Sequence, residues 1–204
     1  MPVSVKICGV VLPEDARRAA EAGADYIGLN FWFGSPRAID VARARDVAAA
    51  VPGTPLVGVF VDAPRAEVEG IADAVGLSLL QFHGAESAVY CTGWSLPVIK
   101  AVRVRAGQSA TALAAGFAGV AYLLVDAYLP GRPGGTGVRV ADESLAGLAG
   151  ERMFLAGGLT PDNVADAVRR VRPFAVDVAS GVEERPGVKD HEKVERFIRN
   201  AKAA

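Results

Sequence analysis

Two residues of this chain could exchange protons with a small molecule, and each closes a short apolar run. Cys8 ends Val5-Lys6-Ile7-Cys8 ahead of Gly9, and Asp126 ends Tyr122-Leu123-Leu124-Val125-Asp126. A thiolate is a base or a nucleophile, although a thiol with an ordinary pKa of about 8.5 is only a few per cent ionised near neutrality. A carboxylate on an apolar strand tip must be paired, hydrogen-bonded or protonated, and the protonated form is a general acid. Each also has a plainer reading. Cys8 could be a small buried hydrophobe, and Asp126 a cap for the following turn.

Other polar residues fall at comparable places. Gln81 and His83 lie two apart, on one face of a strand, just before Gly84. Asp177, between Val176 and Val178, faces opposite to both and could accept a substrate hydroxyl or order the next loop. Arg37, in Ser35-Pro36-Arg37, offers a planar fork for a carboxylate. Lys6 shares a face with Cys8, so its ammonium is expected among polar partners there and is one candidate for lowering the thiol's pKa. His191 reads as structural or solvated. Three glycine-rich turns complete the set: Gly134-Gly135-Thr136-Gly137, Ala156-Gly157-Gly158 and Ala179-Ser180-Gly181. Their backbone N–H groups can converge on an anion, which makes Gly135, Thr136, Gly137, Gly157, Gly158, Ser180 and Gly181 candidate phosphate ligands.

These residues need strands to carry them. β-Branched runs predict strands over 3–7, 26–31, 56–61, 79–82, 98–102, 122–125, 153–156 and 175–178, with helical spacing in several of the gaps. Val68, Ile71, Ala72 and Val75 follow i, i+3, i+4, i+7, as do Ala44, Val47, Ala48 and Val51, and Val194, Phe197, Ile198 and Ala201. Thr160-Pro161-Asp162-Asn163 predicts a helix start with Thr160 as N-cap and Pro161 at the first helical position. The segment after strand six is a long glycine-rich loop with a short helix candidate around 141–149. Strand–helix alternation implies βαβ units and a mostly parallel sheet. Eight units close naturally into a barrel, while a doubly wound open sheet is the rival and would usually show a GxGxxG turn after its first strand.

Composition narrows the class. The chain has 204 residues, 51% hydrophobic, with a formal net charge of −1, enough for one substantial core and expected to form a single domain over 1–204. Near-zero mixed charge gives no footprint for nucleic acid or an anionic membrane. No apolar run approaches the roughly 18 residues of a membrane span, and the first residues lack a signal-peptide core, so a cytoplasmic protein is expected. The two cysteines and two histidines have no metal-binding or disulfide spacing.

Taken in order, Lys6-Ile7-Cys8-Gly9, Ser35-Pro36-Arg37, Gln81-Phe82-His83-Gly84, Asp126, Gly134-Gly135-Thr136-Gly137, Leu155-Ala156-Gly157-Gly158-Leu159, Asp177-Val178-Ala179-Ser180-Gly181-Val182-Glu183 and Pro186-Gly187-Val188-Lys189-Asp190 resemble the phosphoribosylanthranilate isomerase family over essentially the whole chain. The resemblance implies a single (β/α)8 TIM barrel in tryptophan biosynthesis. It also implies an Amadori rearrangement of N-(5'-phosphoribosyl)anthranilate, needing neither a metal nor an organic cofactor. Cys8 would be the general base, Asp126 the general acid, Arg37 the partner of the anthranilate carboxylate, and Gln81, His83 and Asp177 further substrate contacts. The small phosphorylated substrate would be the partner, with the protein a monomer or homodimer.

This sequence departs from the family pattern at Ala179, usually serine, at Phe82, usually leucine, and over 138–142, which lacks the usual aromatic stretch. The rival readings are another phosphosugar barrel and a catalytically silent phosphate-binding barrel serving as a partner subunit. An epimerase would want metal-binding histidines. A dual-substrate sugar isomerase is expected to carry aspartate where this chain has Cys8, and indole-glycerol-phosphate synthase to carry lysines at several strand tips.

Overall fold

The computed structural model describes residues 2–103, 110–126 and 150–204. Strands β1 (Ser4–Cys8), β2 (Tyr26–Asn30), β3 (Leu56–Phe60), β4 (Leu79–Phe82), β5 (Val98–Arg103), β6 (Tyr122–Asp126), β7 (Met153–Ala156) and β8 (Ala175–Val178) pair in chain order. All are parallel, and β8 returns to β1, closing an eight-stranded barrel. Closure sets Lys6 opposite Asp177 across the β1–β8 seam. The open-sheet alternative is thereby excluded, and the strands lie within a residue or so of their expected positions.

Outside the barrel, the described helices are α1 (Pro13–Glu21), α2 (Val41–Ala50), α3 (Arg65–Val75), α4 (Ala110–Ala115), α5 (Val164–Val171) and α6 (His191–Lys202). Local chemistry marks several of their ends. Asp40 accepts from Arg43 N at 2.8 Å and Asp190 from Lys193 N at 3.1 Å, each supplying an N-cap. Pro13 stands at the start of α1, with Glu14 and Asp15 in its first turn. Gly76, at φ +74°, ends α3 in the left-handed conformation that a side chain would disfavour.

Helix α5 begins later than its sequence predicts. Its first residue is Val164, and Thr160-Pro161-Asp162-Asn163 forms the turn before it. The Asn163 side chain accepts from the Thr160 backbone N–H at 2.8 Å, so the amide, not the threonine hydroxyl, organises this entry. The helix candidate around 141–149 lies outside the described residues.

Alternation along the strands divides the core into two layers. Val5, Ile7, Phe60, Leu80, Phe82, Val176 and Val178 face the helices and pack with Val47, Val68, Val194, Phe197 and Ile198. Complete burial of each such side chain stabilises by about 1.5–3 kcal/mol before entropy is counted. Inside the barrel, Val57, Leu79, Ile99, Leu124 and Phe154 pack with Tyr26, Tyr122 and Phe174. The rings of Tyr122 and Phe174 stack at 4.9 Å, and Phe154 meets Tyr26 and Tyr122 edge-on. This aromatic layer fills the end of the barrel where the strands begin and leaves the polar side chains to the opposite end.

A feature not anticipated from sequence follows β8. A short antiparallel hairpin, β9 (Glu183–Arg185) and β10 (Val188–Lys189), turns at Pro186-Gly187, with Gly187 at φ +82°. No helix among the described residues is long and apolar enough to cross a membrane.

Candidate active site

The strand periodicity that buries Val5 and Ile7 against the helices sends Lys6 and Cys8 into the barrel. Lys6 is fully buried and donates to Asp177 Oδ1 at 2.8 Å. An isolated ammonium there would be costly, so the pair is what allows a lysine in the barrel at all. Burial disfavours the charge on Lys6, but Asp177 and then Cys8 outweigh it and hold its pKa above the ordinary lysine value.

Cys8 occupies the last position of β1, half-buried, before Gly9 leaves the strand at φ +67°. Its thiol is pushed above the ordinary cysteine value by burial first and by the Asp177 charge second. Lys6 and Lys189 pull the other way without prevailing. Lys6 therefore does favour the thiolate, as its position predicts, but its ion pair with Asp177 offsets the benefit. The resting cysteine is held as a thiol. Opposite Cys8 in register stands Gly28 of β2, and a Cβ there would lie 2.9 Å from Cys8 Sγ and 3.1 Å from Lys6 Nζ. The missing side chain is the space both groups occupy.

Asp126 is the last residue of β6, beside Arg103 of β5 and Ala156 of β7 in register, and is half-buried. It continues the inward series of Tyr122 and Leu124, as the period of two requires. The charges of Asp126 and Asp177 both act on His83, which ties β4, β6 and β8 to one polar region.

Gln81 and His83 are joined directly: Gln81 Nε2 lies 3.1 Å from His83 Nδ1. With the amide in this orientation its nitrogen donates to Nδ1, which assigns the ring proton to Nε2. Burial lowers the His83 pKa, with the two aspartates opposing it, and the imidazole is neutral near pH 7. Among the described residues, Gln81 Oε1 is buried without a hydrogen-bond partner, an acceptor placed for a ligand hydroxyl or a water. The turn after His83 is braced by a buried pair, Lys100 Nζ to Glu86 Oε2 at 2.6 Å and to Gly84 O at 2.8 Å. Glu86 also accepts from Gly84 N and Asp62 N.

Arg37 reaches the same end of the barrel from the loop after β2. Its Nε donates to Glu183 Oε1 at 2.7 Å and its Nη2 to Glu183 Oε2 at 2.6 Å, a two-point pairing. Its stem lies so close over Gly9 that a side chain on residue 9 would collide with it.

The late glycine turns follow the C-terminal ends of β7 and β8. Gly157 and Gly158 follow β7 at φ +91° and +65°, and a Cβ on Gly158 would meet nothing within 4 Å. Ser180 and Gly181 lie in a short 3-10 turn after β8. A side chain on Gly181 would strike Leu159 O, so this glycine lets the two loops approach. Gly135, Thr136 and Gly137 lie outside the described residues, as does the atypical 138–142 segment. Of the other departures, Phe82 packs outward against Tyr90 and Trp94, away from this region. Ala179 contributes a backbone carbonyl to Lys189.

The sequence reading missed Gly28, Glu183, Lys189 and the Lys100–Glu86 pair as organisers of the site. Glu183 and Lys189 stood within quoted motifs, and the Pro186-Gly187 turn between two short polar runs was the available signal for the hairpin. His191, read as structural or solvated, sits 2.8 Å from Asp15 through Nε2. Among the described residues, no group of three or more His, Cys, Asp or Glu is arranged to hold a metal ion.

Comparison with known proteins agrees with this geometry. Residues 5–200 match the family model for N-(5'phosphoribosyl)anthranilate (PRA) isomerase. The N-(5'-phosphoribosyl)anthranilate isomerase of Pseudomonas fluorescens is 52% identical over 199 residues, covering 96% of this chain and 97% of that relative. The crystal structure of phosphoribosyl anthranilate isomerase from Thermotoga maritima superposes with a TM-score of 0.89 at 37% identity, covering 99% and 100% of the two chains. A further isomerase, solved in complex with reduced 1-(o-carboxyphenylamino)-1-deoxyribulose 5-phosphate, gives a TM-score of 0.83 at 35% identity, covering 99% of this chain and 100% of that one. With the family model spanning nearly the whole chain and relatives of this identity matching end to end, this chain belongs to the N-(5'-phosphoribosyl)anthranilate isomerase family.

Proposed function

We propose that this barrel, acting as one domain over 1–204, converts N-(5'-phosphoribosyl)anthranilate to 1-(2-carboxyphenylamino)-1-deoxyribulose 5-phosphate in tryptophan biosynthesis, with Cys8 as general base and Asp126 as general acid. The observation that carries the assignment is the position of both residues at the C-terminal ends of inward-facing strand positions, where barrel enzymes keep their chemistry.

The reaction asks for one acid and one base. Opening the furanose needs a proton on the ring oxygen while the anthranilate nitrogen pushes electrons toward C1, and the Asp126 carboxyl supplies it. The resulting cationic Schiff base acidifies the C2 hydrogen, which the Cys8 thiolate removes to give an enolamine. Tautomerisation then yields the ketose. Because burial and Asp177 hold Cys8 as a thiol at rest, the thiolate needs further positive charge, and the Schiff base brings it. Around this axis, Arg37 receives the anthranilate carboxylate, and His83 Nε2–H, Gln81 Oε1 and Asp177 serve the ribose hydroxyls. Gly157, Gly158, Ser180 and Gly181, with Gly135, Thr136 and Gly137, hold the phosphate.

The test is a coupled fluorescence assay following consumption of phosphoribosylanthranilate generated in situ. Wild-type protein is expected to consume it, and Cys8→Ala and Asp126→Asn each to lose most turnover while still binding the product analogue. Folded wild-type protein without turnover would overturn the activity. Full turnover in either variant would overturn that residue's role.

A further inference from the structure

The hairpin after β8 holds a buried charge cluster that the proposed proton transfers do not use. Glu183 accepts both Nε and Nη2 of Arg37, at 2.7 and 2.6 Å. The same carboxylate accepts from Lys189 Nζ at 3.0 Å and from Gly187 N at 3.3 Å. Lys189 has a fully buried side chain whose other two contacts are main-chain: Cys8 O at 2.7 Å and Ala179 O at 3.3 Å. Three acceptors around one nitrogen match the three N–H bonds of an ammonium. The hairpin is itself pinned, with Lys189 N donating to Asp15 Oδ2 at 2.9 Å and Lys193 Nζ to Glu183 O at 3.2 Å.

Two consequences follow from this arrangement. By taking Nε and one N–H of Nη2, Glu183 covers one edge of the Arg37 guanidinium. Among the described residues, nothing hydrogen-bonds the Nη1–Nη2 edge, which leaves it to face a second planar acceptor. One carboxylate against two cations also leaves the cluster with a single net positive charge, which matches one substrate carboxylate. Without Lys189, Arg37 and Glu183 would neutralise each other and an incoming carboxylate would meet no net charge. Lys189 also ties the carbonyl of Cys8 to the β8 end through Ala179, so the recognition group and the end of β1 are fixed by the same nitrogen.

We propose that Glu183 and Lys189 are positioning residues for carboxylate recognition: together they aim the open edge of Arg37 and keep its charge available. The inference deepens the proposed function, resting on Arg37 as the carboxylate partner. Glu183 touches no substrate in this scheme and acts through Arg37.

The experiment compares two ligands by calorimetry: reduced 1-(o-carboxyphenylamino)-1-deoxyribulose 5-phosphate and its analogue lacking the ring carboxylate. Glu183→Gln keeps the shape of the side chain and removes its charge. Because the change leaves both cations unopposed and so raises the local positive charge, any weakening reports lost aim: the carboxylate-bearing ligand is expected to bind about tenfold more weakly and the decarboxylated one unchanged. In an Arg37→Lys background, which has no second edge to aim, Glu183→Gln is expected to add little. Lys189→Met, the second variant should Glu183→Gln misfold, is expected to show the same ligand selectivity. An equal loss for both ligands, or an additive effect with Arg37→Lys, would overturn the positioning role and leave a structural one. Unchanged affinities would overturn it outright. Wild-type protein binding neither ligand would instead sink the proposed function, so the two failures are distinguishable.

Discussion

Gly28→Ala is the most direct challenge to the view that Cys8 is held for proton abstraction. Gly28 has no unusual backbone requirement, so the substitution acts through space alone. The new methyl group would lie 2.9 Å from Cys8 Sγ, 3.1 Å from Cys8 Cα and 3.1 Å from Lys6 Nζ. Comfortable non-bonded separations are about 3.5–4.0 Å, so Sγ must retreat by about 0.6–1.1 Å or β1 and β2 must part. A displacement of about 1 Å in a reacting group costs up to about 100-fold, and the expected fall in kcat is therefore about 10- to 100-fold. Arg37 and the glycine turns are not touched, so KM should stay within about threefold of wild type. Overpacking of this kind destabilises by about 1–3 kcal/mol, which urea denaturation will register without abolishing the fold. The coupled assay gives kcat and KM on the same preparation. Wild-type kcat in Gly28→Ala, or a loss carried by KM alone, would refute the reasoning that this gap sets the thiol's position.

Asp177→Asn removes a charge that raises the Cys8 pKa and frees Lys6 to favour the thiolate, so the pH midpoint of Cys8 alkylation should move down; an unchanged or higher midpoint contradicts the charge balance. Lys100→Met leaves Glu86 buried without its cation and should cost about 3–5 kcal/mol in denaturant unfolding, whereas a loss below about 1 kcal/mol would mean the pair is not carrying the turn after His83. Glu183 sits below the ordinary glutamate pKa of 4.5, burial raising it but Arg37 and Lys189 prevailing. Its stabilising contribution is thus complete above that pH and lost as pH falls through the lowered folded value. Glu183→Gln should flatten stability against pH in this window, and an unaltered acid limb would exclude the linkage. Gly70→Ala, at an exposed position of α3 with nothing within 4 Å of the new methyl, should stabilise by about 1 kcal/mol with activity intact. A lower melting temperature would argue against that reading.

The strands were readable because each is a local pattern. Val5 and Ile7 against Lys6 and Cys8, or Val176 and Val178 against Asp177, declare their faces through a period of two. Helix starts are also local, yet Thr160-Pro161 misled, because residues 160–163 form a turn, closed by Asn163 accepting from the Thr160 N–H, before the helix begins at Val164. Gly157, Gly158, Ser180 and Gly181 were legible as glycine-rich turns after late strands, but the clash that makes Gly181 necessary involves Leu159 O from the preceding loop. The β9–β10 hairpin escaped notice because its strands are too short to show a period.

By itself the sequence determined which residues face the barrel interior and which end of each strand they occupy. Side-chain alternation is a property of neighbouring residues and needs no knowledge of the rest of the chain. Only the tertiary structure decided which charges meet. Lys6 finds Asp177 across 171 residues, and Arg37 finds Glu183 across 146. The Cys8 thiol is a sum over Asp177, Lys6, Lys189 and burial, each of which depends on distance through space. In the sequence, Lys6 was one candidate for lowering the thiol's pKa. Barrel closure set Asp177 beside it, and the balance tipped toward the thiol.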